Sequence, residues 1–497
     1  MTKTPKKPTL LQALIPIIVL IAMLSVNVLL MFKDDALSGS NQIILLFAAA
    51  VVVLIAMSRL GYDWETIQDG IVKTISTAMP SILIMLMIGA LTGTWLISGI
   101  VPAMIYYGLD FLNPKVFLLA ACVISAIVSM ATGSSWTTIG TIGVALLGIG
   151  KALGFSEGIV AGAIISGGYF GDKLSPMSET TNLAPAVAGT DLFTHIRSMM
   201  KTNIPTFSIT IVIFTILGFM YDAGEVVHGP EVLQAALASK FDITPLLFIV
   251  PAFVLVLIVK KAPALPALFL GMLLGCVFAA IFQPGIIAEI GKGIVDGREV
   301  SSLTASAIGA FQAMFGDVSI TTDNAQVNDL LSSGGMAGMM NTIWLIICAM
   351  VFGGAMEASG MLSRISEAII SKAQSTGSLI TSTVGSCFFF NLTASDQYLA
   401  IVVPGKMFAD AYRKRGIGPE VLSRSLEDAG TVTSVLIPWN TCGAYQSNVL
   451  GVATWAYLPY CFFNWLSPIV NIIFGYLFVK AKEAVNPGKV AVERVED

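Results

Sequence analysis

Apolar residues in this chain come in blocks, not in the short periodic stripes of a soluble domain. Runs long enough to cross a bilayer, roughly 17–25 residues, recur from one end to the other. The clearest are Leu10–Phe32, Gln42–Ser58, Ala78–Ile97, Val116–Met130, Asn203–Tyr221, Thr244–Val259, Pro263–Phe282, Thr342–Met356, Leu379–Phe390 and Pro459–Val479. Trp136–Gly150 and Leu399–Met407 are shorter or interrupted. The pattern predicts an all-α polytopic membrane protein of about ten to twelve crossings plus re-entrant pieces. The first run follows Lys3, Lys6 and Lys7, but it is longer than the apolar core of a signal peptide, and Lys33-Asp34-Asp35 follows it with no small-residue cleavage site. It reads as the first span.

Against that background one stretch stands out. Asp172, Lys173, Ser175, Ser178, Glu179, Thr180, Thr181 and Asn182 crowd together between apolar segments, with Pro176 and Pro185 interrupting them. Each charge at bilayer depth costs about 2.5–3.5 kcal/mol on insertion scales. Broken backbone at that depth is tolerated only where it lines a cavity or is buried in protein. The stretch therefore predicts part of an ion site inside a transporter.

A second copy of this organisation lies downstream. A shift of 262 lays Gly143, Gly154, Gly168, Leu174, Pro176 and Gly189 on Gly405, Gly416, Gly430, Leu436, Pro438 and Gly451 without a gap. A shift of 261 lays Gly93 and Ser98-Gly99 on Gly354 and Ser359-Gly360. Basic residues in short loops set orientation. Lys3, Lys6, Lys7, Arg59, Lys73, Arg197, Lys201, Lys260, Lys261, Arg364, Lys372, Lys480 and Lys482 put both termini inside and turn the two copies in opposite directions. The expected architecture is two inverted-topology repeats with broken helices and re-entrant hairpins, which brings broken helices together near the midplane. The chain then divides into an N-terminal segment with the first crossing (1–41), a first repeat (42–222), an external loop and linking crossing (223–262), a second repeat (263–482) and a disordered cytoplasmic tail (483–497). The second repeat contains a Gly/Ser-rich external loop (283–341) with partial helices.

Composition agrees: 55% hydrophobic, 12% charged and a mean hydropathy of +0.83 exclude an ordinary soluble globule. The net charge of −4 says little about partners, and no basic patch interleaved with aromatics points to nucleic acid. Cys122, Cys276, Cys348, Cys387, Cys442 and Cys461 lie in or beside apolar runs with no CxxC pair, and read as small apolar fillers.

Each repeat offers two polar breaks. They are Thr132-Gly133-Ser134-Ser135 and Asp172–Asn182 in the first, and Thr393-Ala394-Ser395-Asp396-Gln397 and Pro438-Trp439-Asn440-Thr441 in the second. A small hard cation takes oxygen ligands, and helix C-terminal ends favour positive charge. The candidate ion or substrate ligands are Thr132, Ser134, Ser135, Asp172, Ser175, Glu179, Thr180, Asn182, Asp396, Asn440 and Thr441. Asp172, Glu179 and Asp396 are the candidate Na⁺ carboxylates. Burial disfavours an ionised carboxylate and a nearby cation favours it, so one carboxylate can carry Na⁺ and H⁺ in turn. No cofactor beyond these transported ions is expected.

Other residues have plainer readings. Asp172 can form an ion pair with its neighbour Lys173. Glu427-Asp428, after Arg424, reads as a cytoplasmic or interfacial cluster. Asp191 reads as a helix cap and His195 as an interfacial histidine. Lys406 would counter Asp396 or Asp410, or reach the interface. His228 is assigned nothing.

Residues 133–150 (GSSWTTIGTIGVALLGIG) and 161–196 (AGAIISGGYFGDKLSPMSETTNLAPAVAGTDLFTHI) resemble the NhaC family of Na⁺/H⁺ antiporters, within the wider ion-transporter superfamily, and the similarity extends over most of the chain. The resemblance implies sodium-coupled antiport in a prokaryotic cytoplasmic membrane, inverted repeats with re-entrant hairpins, and a homodimer. Relatives of that family include exchangers of malate for lactate, so an organic anion or amino acid coupled to Na⁺ and H⁺ on the same scaffold is the alternative. Glu179 stands where relatives often carry Asp. From Asn391 onward the likeness is weaker, and Asp396-Gln397-Tyr398 rests on the internal symmetry. An intramembrane aspartyl protease is set aside because Tyr169 stands where the first glycine of GxGD belongs. A Ser–His enzyme has only His195 and His228 to draw on, and a pure channel suits paired breaks less well than alternating access does.

Overall fold

The computed structural model describes residues 5–27, 31, 39–111, 113–220, 230–260, 262–295, 300–323, 328, 330–370 and 373–479. Lys3, Lys33, Asp34, Asp35, His228, Lys261, Lys372, Lys480, Lys482 and the tail from Glu483 lie outside them.

The described residues are almost entirely helical. Helices α1 (Leu10–Val26), α2 (Ser40–Ile55), α3 (Trp64–Ile97), α4 (Ile100–Phe111) and α5 (Pro114–Thr132) lead to the first break. Polar residues start α1, α3 and α5, where the backbone N–H groups of a first turn need acceptors. Thr9 caps α1 in a capping box with Gln12, Asp63 accepts from Thr66 N at 2.8 Å, and Asn113 accepts from Lys115 N at 3.0 Å ahead of Pro114. After the break come α6 (Ser135–Thr138), a π turn (Ile139–Gly143), α7 (Val144–Ala152), α8 (Glu157–Leu174), α9 (Glu179–Ala188) and α10 (Leu192–Met220).

The middle of the chain holds α11 (Pro230–Lys240), α12 (Ile249–Val259) and α13 (Ala264–Phe282). The expected external loop 283–341 contains α14 (Pro284–Ile294), α15 (Ser302–Phe315), a two-strand pairing of β1 (Val318–Ser319) with β2 (Ser332–Ser333), and α16 (Gly335–Gly338). Helices α14 and α15 pack on each other, and α15 packs on α3. The partial helices are there, and part of this segment belongs to the packed body because Ile286, Ile287 and Ala313 are buried. Helices α17 (Met340–Ala358), α18 (Met361–Ile370), α19 (Thr376–Thr393), α20 (Gln397–Lys414) and α21 (Pro419–Leu426) follow. A π turn (Glu427–Thr431), α22 (Thr441–Leu450), α23 (Thr454–Tyr457) and α24 (Phe462–Leu477) complete the order.

Among the described residues six helices are long and apolar enough to cross a membrane, or eight if each of two bent pairs counts once. The bends are 87° between Glu231–Lys240 and Pro245–Ile258, and 53° between Thr454–Tyr460 and Phe462–Leu477. The sequence predicts ten to twelve. The difference falls on pieces such as α1, shorter than a full crossing, and α19, in which Thr381, Ser382, Thr383 and Ser386 dilute the apolar run. Helix α19, most of it buried in protein, need not match the bilayer's thickness.

The local backbone repeats. A shift of 262 carries Pro114–Thr132 onto Thr376–Thr393, Ser135–Ala152 onto Gln397–Lys414, and Glu179–Ala188 onto Thr441–Leu450. It also carries the left-handed Gly133 (φ 70°) onto Ser395 (φ 58°), and the left-handed helix end Gly189 onto Gly451. Within the first copy α5 and α8 are in backbone contact, since a Cβ at Gly167 would lie 2.0 Å from Cys122 O. Gly167 and Gly171, four residues apart, make the small-residue stripe that lets two membrane helices approach this closely.

Candidate ion-binding site

The break after α5 is set by Gly133, whose left-handed φ of 70° ends the helix and whose missing side chain leaves room for Met177. The chain restarts at Ser134, which caps α6 by accepting from Thr137 N at 3.1 Å. Thr132 stays beside this turn, 3.2 Å from the Thr138 hydroxyl. The restarted helix offers Ser135 to Asp172 at the end of α8. The Oδ2 atom of Asp172 accepts from Ser135 Oγ at 2.7 Å and from Ser135 N at 3.2 Å. Asp172 is 8% exposed, so hydroxyl and amide dipoles do the work of a counter-ion there.

The loop from α8 to α9 closes the other side. Ser175 ends α8 and donates its N–H to Asp172 O at 3.1 Å, and Ser178 caps α9 by accepting from Thr181 N at 3.4 Å. The Asn182 amide donates to Ser178 O at 2.7 Å and Pro176 O at 2.9 Å, bracing the turn.

These pieces enclose a cavity of about 330 Å³. Thr132, Ser134, Asp172, Glu179, Thr180 and Asn182 line its polar side, and Pro80, Ile84, Ile258 and Ala264 its apolar side. Gln397 and Tyr398 enter from the second copy. The first turns of α6, α9 and α20 thus all open on one space. Tyr398 donates its hydroxyl to Glu179 Oε2 at 2.5 Å, tying the two copies together at the rim.

The second copy's candidates gather separately. Asp396 caps α20, its Oδ1 accepting from Tyr398 N at 2.9 Å and Leu399 N at 3.1 Å. Thr441 lies 3.5 Å from Asp396 Oδ2 and donates its N–H to Ser395 O at 2.9 Å. Asn440 accepts from Cys442 N at 3.0 Å and donates to Asn391 O at 3.0 Å. None of these three lines the cavity; Gln397 and Tyr398 connect them to it. Ser175 does not line it either, being buried in its turn. Among the described residues no three His, Cys, Asp or Glu side chains converge on a point, so a cation here would rely largely on neutral oxygens.

Three sequence readings need correcting. Lys173 does not pair with Asp172: its ammonium donates to Asn203 Oδ1 at 3.0 Å, to Ser467 Oγ at 3.1 Å and to the Asp428 carboxylate. Consecutive residues on a helix point about 100° apart, and Lys173 is turned away from the cavity that Asp172 lines. Glu427 and Asp428 are not interfacial but 0% exposed. His195 is likewise buried, its Nδ1 2.8 Å from Ser423 Oγ, because α21 covers that face of α10. Lys406 is exposed, and Asp410 pairs with Arg413 instead. Asp191 does cap its helix, accepting from Thr194 N at 3.0 Å. A signal for Glu427 and Asp428 was present: the 262 shift lays them on Ile165 and Ser166, in the middle of the buried helix α8.

Comparison with known proteins gives the family. The model of the Na⁺/H⁺ antiporter family matches residues 167–478, which takes in the second copy where the likeness read from the sequence was weaker. A malate-2H⁺/Na⁺-lactate antiporter of Bacillus subtilis is 38% identical over 432 residues, 87% of this chain and 88% of the relative. The Na⁺/H⁺ antiporter NhaC of Alkalihalophilus pseudofirmus is 36% identical over 414 residues, 83% of this chain and 85% of the relative. The arginine/ornithine antiporter ArcD of Halobacterium salinarum is 35% identical over 474 residues, 95% of this chain and 92% of the relative. With its apolar helices, and with a family match over well more than half its length, the chain is a multi-pass membrane protein that belongs to the Na⁺/H⁺ antiporter family.

Proposed function

We propose that this chain is a secondary antiporter, not an enzyme, exchanging Na⁺ for H⁺ across the cytoplasmic membrane by alternating access. The observation that carries the reading is Asp172: a buried carboxylate on a cavity wall, held by neutral donors that include the Ser135 hydroxyl and amide, with no cationic side chain bonded to it among the described residues. Such a group is neutralised by a proton or by a small cation, and not by both at once. Thr132, Ser134, Thr180 and the rim carboxylate Glu179 are the further oxygens proposed for Na⁺, with Asp396, Asn440 and Thr441 shaping the opposite wall through Tyr398. The repeats 42–222 and 263–482 are proposed to face opposite ways, with hairpins at Ser134 and Asp396, so that rocking one against the other exposes the cavity to each side in turn. Both termini are proposed to be cytoplasmic. A homodimer rests on the family resemblance alone.

A second reading has one observation in its favour. About 330 Å³ is several times the volume share of a water molecule, about 30 Å³, and three helix N-termini open on it. A small organic anion or amino acid, as named for two of the relatives, is the alternative cargo. Of the nearby cations, Lys173 is spent on Asp428 and Lys406 is exposed, so neither supplies a counter-charge for such an anion. Proteoliposomes with an internal pH dye decide. Na⁺-driven alkalinisation or acidification without organic solute supports Na⁺/H⁺ exchange, and a strict requirement for malate, lactate or arginine supports the alternative.

A further inference from the structure

The Glu427 carboxylate lies outside the cavity lining and takes no part in the mechanism above, yet it is 0% exposed. Among the described residues its partners are hydroxyls. Thr431 donates to Oε2, and Thr181 lies 3.5 Å from Oε1. Lys173 is close in the fold but has given its three N–H groups to Asn203, Asp428 and Ser467. Arg424, one turn earlier, is directed to Asn471 at 3.1 Å and over the Phe474 ring. A buried carboxylate without a paired cation is costly unless something positive joins it.

The Thr181 hydroxyl points to the same gap. It sits 3.3 Å from Asp172 O, 3.2 Å from Lys173 O and 3.5 Å from Glu427 Oε1. A hydroxyl has one proton and satisfies one acceptor well. Three acceptors held around it at long distance leave surplus negative charge. The two carbonyls belong to the last turn of α8, where a helix runs short of its own donors and favours a cation; Asp172 O takes the Ser175 N–H at 3.1 Å and keeps its second lone pair. Glu427 opens a π turn, an irregularity that recurs at functional sites. Asn391 and Asn464 hold the backbone around it, donating to Gly430 O at 2.7 Å and Val432 O at 2.9 Å. The result is a nest of oxygens: one carboxylate, two hydroxyls and two carbonyls.

We propose that Glu427, Thr181, Thr431 and the carbonyls of Asp172 and Lys173 form a second site for a small dehydrated monovalent cation, Na⁺ first, behind the cavity. One carboxylate and neutral oxygens suit a single positive charge, whereas a divalent ion would want more anionic ligands. That the bound ion is cargo rests on the antiport reading; that it binds does not. Backbone O of Asp172 belongs to this nest and its side chain to the cavity, so the two sites share one residue and occupancy of one reports to the other.

The test measures ²²Na⁺ binding to the purified full-length chain, apart from any transport assay. Asp172→Asn is expected to keep one binding event. Adding Glu427→Gln should remove it or weaken it at least ten-fold, while Glu427→Asp retains it in part. Loss of all binding in Asp172→Asn alone, or unchanged binding in the double variant, overturns the proposal. If Glu427→Gln does not yield monodisperse protein, Thr431→Val in the Asp172→Asn background takes its place. A ten-fold weaker event there supports the site and an unchanged one overturns it. Failure of Na⁺-driven proton movement in liposomes would instead overturn the antiport reading and leave the binding result standing.

Discussion

Lys173 is bonded to Asp428, 255 residues away in sequence, and both side chains are fully buried. The pair joins α8 of the first copy to the π turn of the second. It also ties up the Lys173 ammonium, which donates to Asn203, Asp428 and Ser467 and so bonds neither Asp172 nor Glu427.

Breaking this pair from one side strands the other charge. Lys173→Met is expected to destabilise the fold by about 3–5 kcal/mol, and Lys173→Met with Asp428→Leu to recover most of that loss. Thermal unfolding of the detergent-solubilised protein measures both. A single variant as stable as wild type would mean the pair bears little on the fold.

Removing the hydroxyl nearest Asp172 leaves its carboxylate one donor short. Ser135→Ala is expected to raise the Na⁺ concentration for half-maximal exchange by roughly ten-fold, the scale of a hydrogen bond to a charged group at about 1.5–3 kcal/mol. Dye-loaded proteoliposomes titrated with Na⁺ provide the reading.

Tyr398 is the link between the copies at the cavity rim. Tyr398→Phe removes the donor to Glu179 while keeping the ring. Because Glu179 is exposed, a smaller shift of about two- to five-fold in half-maximal Na⁺ is expected, consistent with a net hydrogen bond of about 0.5–1.5 kcal/mol. Flux at saturating Na⁺ should stay near wild type.

Close packing of α5 on α8 leaves no room for a side chain. Gly167→Val would drive a methyl group into Cys122 O and is expected to abolish monodisperse expression. Gly189→Ala meets open space at a left-handed position, and its cost should be the backbone strain alone, about 1–2 kcal/mol.

Two carboxylates lie at helix starts outside the spans. The Thr66 hydroxyl and N–H hold Asp63 below the ordinary carboxylate range, and Thr194 does the same for Asp191. A folded-state pKa below the unfolded one gives stability that is present above the unfolded value, about 3.9, and lost as pH falls through the lowered value. The difference in melting temperature between wild type and Asp191→Asn is therefore expected to be flat from neutral to alkaline pH and to shrink only in acid.

The sequence determined the features that arise within a few residues of chain. Apolar runs marked the helices, Gly133 and Ser134 marked where one stops and the next is capped, and the constant 262 shift marked a second set of the same breaks. These signals are legible because a cap, a left-handed turn or an apolar run acts on its own neighbours. The tertiary structure alone decided which charges meet. Lys173 stands beside Asp172 in sequence yet faces Asp428, and Glu427, which by composition alone looked like part of a wet cluster, lies sealed behind Thr181. The 262 shift hinted that Glu427 and Asp428 are buried, but pairing across 255 residues depends on how helices stack, and a side chain's partner in space leaves no mark on its neighbours in the chain.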